Sequence, residues 1–392
     1  MTHPSVTHVI TGLDPGGGAE NMLVRLMEEL DGGRRSRQSV VCLRPRGSLV
    51  GDIEELGVPV QALGMSGRPN PVDLFRLRRA LRRTRPDVIQ TWMLHSNVLG
   101  GFVARTVSRA PIAWGVHLST VSRSTLGTKA LVVQRAEALC SWFVPSSIVA
   151  CSISSREAMH ELPYRRKLIV TIPNGFDVER FRPDAAARDD VRRELDLSPT
   201  TTVIGHLARN HPIKDHPTLL AAAKEVIDRI DDVRFVLAGE DVTGDDPKLR
   251  ALTEPFGDRV LMLGNRDDVP RLLNGFDLAV SSSSGEALSL AIGEAMSTGV
   301  PVAATRCGDS AELVADTGAT APVGDPAALA EAMIELVEMG PEKRRDLGTR
   351  ARERISTFYS LRGMVESYSQ LWAELGAGAT AADAPTTAEL ES

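Results

Sequence analysis

Strand-length apolar runs alternate with segments of helical periodicity along nearly all of this 392-residue chain, and that alternation restricts it to parallel sheets covered by helices. Early strands read as Thr7 to Thr11, Gln38 to Leu43, Asp87 to Thr91 and Pro111 to Gly115. A second set reads as Thr201 to His206, Arg234 to Ala238, Val260 to Leu263, Leu278 to Ser281 and Val300 to Ala304, with helices opening near Pro217, Val269, Leu288 and Ser310. The chain is too long for one ordinary core and suits two. Between the sets lies Ile172-Pro173-Asn174-Gly175-Phe176-Asp177, followed by Phe181-Arg182-Pro183, a composition suited to a turn and linker. The expected division is a first α/β domain over 1–172 and a second over 180–360. From Gly376 the chain is rich in Ala, Thr, Gly and Glu without periodicity, so 376–392 reads as a disordered tail.

With 42% hydrophobic and 24% charged residues the composition excludes a disordered or fibrous chain. Cys42, Cys140, Cys151 and Cys307 are scattered without a CxxC pair, so neither a zinc site nor a disulfide framework is expected. The start MTHPSVTHVI lacks the features of a signal peptide, and no run approaches a membrane span. A cytoplasmic protein is expected. Its net charge of −6 conceals an asymmetry: residues 1–180 carry 23 Lys and Arg against 15 Asp and Glu. Part of that excess lies in 74–85, where Leu74, Leu77, Ala80 and Leu81 recur at helical spacing and Arg fills most other positions. The segment reads either as a solvated surface helix or as a patch drawn to anionic lipid at the inner membrane face. Nucleic acid is not an expected partner, because aromatic residues do not interleave with these arginines.

Three segments carry candidate chemistry. The first, Gly12-Leu13-Asp14-Pro15-Gly16-Gly17-Gly18-Ala19-Glu20, follows a strand and precedes a helix, where glycines let amides approach an anion. Its spacing is not GxGxxG, which disfavours a nicotinamide-dependent oxidoreductase. The second places Arg209 and Lys214 in one loop after the strand ending at His206. Such a loop lies at the carboxyl edge of a sheet, where open α/β folds bind ligands. Two cations there either hold a diphosphate or are solvated loop charges. The third runs from Ser281 through Glu286-Ala287-Leu288-Ser289-Leu290 to Glu294 and on to Gly299-Val300-Pro301-Val302. On a continuous helix Glu286 and Glu294 would stand about 12 Å apart, too far for an acid/base dyad. They suit two separate sugars, with a diphosphate between them over the helix N-terminus.

Together these segments resemble the family 4 glycosyltransferases, whose second domain carries Glu, seven residues, Glu and then a Gly-x-Pro-Val strand, as Glu286, Glu294 and Gly299 to Val302 do here. The resemblance extends to Gly17-Gly18-Ala19-Glu20, to Arg209 with Lys214, to the Ile172–Asp177 linker and to Gly239. It implies the GT-B fold, two Rossmann-like α/β domains facing across a cleft, with the nucleotide-sugar donor on the second. The terminal helix, about 362–375 with Tyr368 and Trp372, would return to the first domain.

The resemblance further implies site residues. Gly17 and Gly18 would line the donor site, and Arg209 and Lys214 would contact the diphosphate. Amides near Leu288, Ser289 and Leu290 would hold phosphate oxygens, Glu294 the ribose and Glu286 the transferred sugar. The loop Gly264-Asn265-Arg266 would hold the base. On the acceptor side stand Glu20, His95 and Asn97, while His117 would face the reaction centre as a catalytic group. Many family members have Glu-Gly-Phe-Gly where this chain has Glu286-Ala287-Leu288-Ser289, so donor identity does not transfer. The expected reaction is metal-independent and cofactor-free, retaining the donor anomer and moving a sugar from a UDP or GDP donor to a saccharide or lipid-linked acceptor. A small-molecule acceptor, a nucleotide-sugar epimerase, a sugar-nucleotide sensor and an NAD-dependent oxidoreductase are the alternatives.

Overall fold

The structure is a computed structural model that describes residues 3–14, 18–66, 69–117 and 128–378. It divides into two compact units, one of residues 1–175 with 361–392 and one of residues 176–360. The proposed tail beyond residue 378, and Gly17, lie outside the described residues.

The first unit holds seven strands: β1 (Val6–Ile10), β2 (Gln38–Cys42), β3 (Val60–Ala62), β4 (Val88–Trp92), β5 (Ile112–Val116), β6 (Ser147–Ala150) and β7 (Ile169–Thr171). Every pairing is parallel, in the order β3-β2-β1-β4-β5-β6-β7. Strands β1, β4 and β5 are buried along their full length, the mark of central parallel strands covered on both faces. On one face Leu77, Ala104, Trp114, Ala138 and Tyr164 form a single core cluster. Helix Leu361–Gly376 also belongs to this unit: its buried Trp372 donates from Nε1 to Gln90 Oε1 at 3.2 Å and meets His8 edge-on.

Six parallel strands build the second unit: β8 (Thr202–Leu207), β9 (Val233–Ala238), β10 (Val260–Met262), β11 (Leu278–Ser281), β12 (Val302–Thr305) and β13 (Ala319–Ala321). Their order is β10-β9-β8-β11-β12-β13. In both sheets the winding reverses once, between β1 and β4 and between β8 and β11. Loops leaving the carboxyl ends of those strands diverge and open a crevice. The strands absent from the periodicity reading, β3, β6, β7 and β13, are three or four residues long, and all but β6 lie at sheet edges. Runs that short hold few alternations and give only a weak signal.

Helix Pro71–Thr84 carries the arginine-rich segment and opens with a capping box between Asn70 and Asp73. Leu77, Ala80 and Leu81 are buried, but Leu74 is exposed and does not join them. The inward stripe is completed by Asp73, which is buried because its carboxylate closes the cap.

Candidate active site

In the second unit the two motif loops leave the sheet at its reversal point, after β8 and after β11, and they are bonded together. Ser282 Oγ donates to the Lys214 carbonyl at 2.7 Å, and the Ser284 amide donates to the Ile213 carbonyl at 2.8 Å. Asp215 follows Lys214 with φ 50° and caps helix His216–Arg229 by accepting from Thr218 N at 3.2 Å and Thr218 Oγ1 at 2.7 Å. That cap fixes the direction in which Lys214 leaves the backbone. Its Nζ donates to Glu286 Oε1, the same oxygen that accepts from Ser283 Oγ at 2.9 Å. Both side chains are mostly buried, at 20% and 15% exposure, so the pair is only weakly screened by solvent.

From behind, the Glu286 loop is braced by residues that the sequence motifs did not single out. Thr305 Oγ1 donates to the Ser283 carbonyl at 2.6 Å, and the Asp309 amide donates to the Ala287 carbonyl at 2.8 Å. Between them Gly308 has φ +53°, and a Cβ there would sit 2.4 Å from the Glu286 carbonyl oxygen. No other residue tolerates both the conformation and the approach. A small residue just past a strand is the only trace of this in the sequence.

Helix Leu290–Ser297 begins four residues after Glu286, so the 12 Å rise expected between the two glutamates does not apply: residues 286–289 are not helical. Ser289 is the N-cap, and its side chain does not cap the helix. The first-turn amides are therefore left to an external acceptor. Leu288 and Ser289 are buried beneath that end, and Glu294 is buried one turn further on. The helix lies so close to Phe176 that a Cβ on Gly293 would fall 2.1 Å from the ring. Gly293 is what lets Glu294 and the first-turn amides stand at this depth.

Arg209 is exposed on the loop after β8. Arg266 is engaged elsewhere: its guanidinium forms two 2.7 Å bonds to Asp268 and a 2.8 Å bond to Glu194, a carboxylate it shares with Arg271. Its side chain is thus bound up in an ion-pair network, and only the backbone of 264–266 is left to face a base. Buried His206 on β8 has Nδ1 2.9 Å from the Val280 carbonyl, an acceptor, so Nδ1 carries the proton. Burial pushes this imidazole down to about 3.

In the first unit, Ser96 Oγ and Thr11 Oγ1, 3.0 Å apart, tie the loops that follow β4 and β1. Met93, at φ 68°, stands at the end of β4 in a conformation that costs a side-chain-bearing residue energy, and a π-turn over Ser96–Gly100 follows. His95 between them is exposed. Gly18 and Glu20 lie in the first turn of helix Gly18–Glu29, and burial raises the Glu20 carboxyl above its ordinary range. Asn97 does not belong to a substrate surface. It is fully buried, accepts from Thr91 Oγ1 at 2.6 Å, and donates to Glu137 Oε1 at 2.8 Å and the Gly115 carbonyl at 3.1 Å. Tyr164 donates to the other Glu137 oxygen at 2.8 Å, so Asn97 is one link in an internal brace. His117, at the end of β5, is half-buried and stacks on Trp92 with ring centroids 6.0 Å apart; burial pushes it down to about 4.

Among the described residues no group of three or more His, Cys, Asp or Glu is placed to hold a metal ion. The second-unit crevice has instead a cation, a neighbouring exposed arginine and uncapped helix amides around one carboxylate, an arrangement suited to a phosphorylated ligand with hydroxyl groups.

Residues 16–180 match the family described as Glycosyltransferase Family 4, and residues 198–339 match glycosyl transferases group 1. The chain is 26% identical to EpsF of Bacillus subtilis over 309 residues, 76% of this chain and 77% of that one. It is 29% identical to the N-acetyl-alpha-D-glucosaminyl L-malate synthase of Bacillus anthracis, over 57% of this chain and 58% of the relative. With the UDP-Gal:alpha-D-GlcNAc-diphosphoundecaprenol alpha-1,3-galactosyltransferase of Escherichia coli it shares 28% identity, over 62% and 64%. The last two alignments thus span less than two thirds of those relatives. Among solved structures, HepE of Anabaena in complex with UDP superposes with a TM-score of 0.82 at 22% identity, covering 94% of this chain and all of that one. Sucrose-phosphate synthase from Thermosynechococcus elongatus superposes with a TM-score of 0.78 at 19% identity, over 96% and 100%. These likenesses establish the GT-B fold.

Proposed function

The chain is a family 4 glycosyltransferase of the GT-B fold, and on that premise we propose that it moves a sugar from a UDP- or GDP-linked donor to a saccharide or lipid-linked saccharide, without a metal ion and with retention of the donor anomer. The observation that carries this reading is the Lys214–Glu286 pair beside the uncapped N-terminus of helix Leu290–Ser297. Lys214 and Arg209 take the diphosphate, with the amides of 288–290 on its other side. At an effective dielectric near 20, one cation about 4 Å from a phosphate oxygen contributes roughly 4 kcal/mol, and the two cations act together in place of a metal. Glu286 then accepts from a hydroxyl of the transferred sugar and Glu294 from the ribose, while the backbone of 264–266 faces the base.

As the bond between the sugar and the diphosphate breaks, the leaving phosphate gathers negative charge, and the two cations and the helix amides stabilise it. The acceptor hydroxyl attacks from the same face, and its proton passes to the departing phosphate oxygen. No protein nucleophile or carboxylate dyad is required. His117 faces the reaction centre in this reading, with Glu20 and His95 on the acceptor side. The arginines of helix Pro71–Thr84 make peripheral contact with anionic lipid, consistent with a lipid-linked acceptor. Among the described residues no helix is long and apolar enough to cross a membrane. A small-molecule acceptor is the second reading, favoured by the similarity to the L-malate synthase.

Calorimetry with UDP, GDP, ADP and their common sugars, in EDTA, tests the donor site in the wild type and in Glu294→Gln. One nucleotide should bind without metal, and the substitution should weaken it. Incubation with the matching donor and an acceptor panel should then yield a product with the donor's anomeric configuration by NMR. Binding of no nucleotide, or an inverted product, overturns the reading.

A further inference from the structure

Among the described residues, nine of the twelve large apolar side chains left exposed lie on one layer of the first unit: helices Pro71–Thr84, Gly101–Arg105 and Thr128–Cys140, with the turn that follows. The inner faces of these helices share one core cluster, so their outer faces form one surface. It is contiguous through specific bonds. Arg78 Nη1 donates to Thr106 Oγ1 at 2.8 Å, and Arg105 Nε donates to the Val144 carbonyl at 2.8 Å. Trp142 Nε1 donates to the Pro163 carbonyl at 2.9 Å, and the Arg165 amide donates to Ser141 Oγ at 2.9 Å.

At the centre of that surface stand Phe143, 82% exposed, Leu139, 57%, and Trp142, 53%, with Phe102 at 45% beside them and Phe75 at 62% on the arginine helix. The cations around them are exposed and, among the described residues, form no ion pair: Arg76, Arg79 and Arg83 on one side, Arg105, Arg166 and Lys167 on the other. Arg76, Arg79 and Arg83 further line an open groove of about 430 Å³ against Gln61–Leu63 at the edge of the sheet. Exposed aromatics ringed by unpaired cations match the boundary between head groups and acyl chains of an anionic bilayer, where tryptophan is favoured and basic residues meet lipid phosphates.

We propose that this whole helical layer, and not the arginine helix alone, is a docking face for anionic phospholipid bilayers, with Phe143, Trp142 and Leu139 entering the interface. The proposal extends the lipid contact assigned above to helix Pro71–Thr84 and rests on it for part of its charge.

The chain reports on its own insertion, because Trp92, Trp114 and Trp372 are buried and Trp142 is the one exposed tryptophan of four. The full chain is mixed with phosphatidylcholine vesicles with and without phosphatidylglycerol, and co-sedimentation and tryptophan emission are recorded. Binding should require phosphatidylglycerol and move the emission to shorter wavelength. Phe143→Ser should lower partitioning about tenfold, the loss of one inserted aromatic side chain. Arg79→Glu with Arg83→Glu should lower it at least about fivefold per position. Each variant keeps the circular dichroism and nucleotide affinity of the wild type. If binding follows the arginines while emission stays fixed and Phe143→Ser is silent, the arginine-helix contact stands and this inference fails. If emission shifts with protein concentration alone and the mass doubles, the face joins two copies and the inference also fails. Absence of binding to either vesicle overturns both.

Discussion

Lys214 Nζ donates to a carboxylate oxygen of Glu286, a residue 72 positions further along the chain, and no ligand is needed to bring them together. The pair has a consequence for binding. In the proposed reading a diphosphate takes Lys214, and a sugar hydroxyl of the same ligand donates to Glu286 in its place. Lys214→Ala removes the cation beside the mostly buried Glu286 and, in the proposed reading, a ligand for the diphosphate. The Kd of the preferred nucleoside diphosphate should rise at least about thirtyfold, since truncating one side of a buried charge pair costs roughly 2–5 kcal/mol. Calorimetry reads this directly, and an unchanged Kd would remove Lys214 from the site.

In the proposed reading Arg209, Lys214 and the amides of 288–290 supply the positive field, so turnover should be insensitive to EDTA and to added magnesium. Initial rates with and without chelator check this, and an EDTA-silenced enzyme would place a metal on the diphosphate.

Gly293→Ala should destabilise the second unit by about 1–3 kcal/mol, the cost of overpacking, because the new Cβ falls on the Phe176 ring. Thermal unfolding with and without Phe176→Leu tests the cause. The double variant should recover part of the loss, whereas equal losses would show that Phe176 is not the obstacle.

His8 is held neutral by two fixed partners. Trp92 Nε1 can only donate, so His8 Nδ1 accepts at 3.1 Å, and Nε2 then carries the proton towards Gln38 Oε1 at 2.9 Å. Burial sets the imidazole down to about 4 from 6.5. A depressed histidine contributes stability that is complete above the unfolded value and is lost as the pH falls from 6.5 towards 4. Over that window the unfolded chain binds a proton that the folded one refuses, which costs about 1.4 kcal/mol per pH unit. The unfolding midpoint should decline over that range, and less steeply in His8→Gln. Imidazole NMR that found His8 protonated at pH 6 would contradict the assignment.

Much of the fold was legible in the sequence because central parallel strands are apolar runs: β1, β2, β4, β5, β8 and β9 are five or six residues long and register that way, and the shorter β10, β11 and β12 register by their apolar content. The candidate loop after β11 was legible as a motif because Glu286, Glu294 and Gly299 to Val302 keep a local spacing. The partners of the Asn97 and Arg266 side chains were not legible in full. Each stands in a segment that suits a ligand site, but the Asn97 amide is consumed by Glu137, 40 positions on, and the Arg266 guanidinium by neighbouring Asp268 together with distant Glu194. Local spacing does not encode such partners. The bracing of the Glu286 loop by Thr305 and Gly308 was invisible on the same ground.

Element order, parallel winding and the position of the two candidate loops follow from periodicities of a few residues, which the chain carries locally. Only the tertiary structure decided that Lys214 meets Glu286, that the helix waits until Leu290 to begin, and that one helical layer of the first unit leaves its aromatics and arginines uncovered. Those outcomes depend on which loops and faces the winding of the sheets brings side by side, and on backbone approaches such as Gly308 against Glu286 and Gly293 against Phe176. Long-range packing selects them, and no window of sequence contains both members of any such pair.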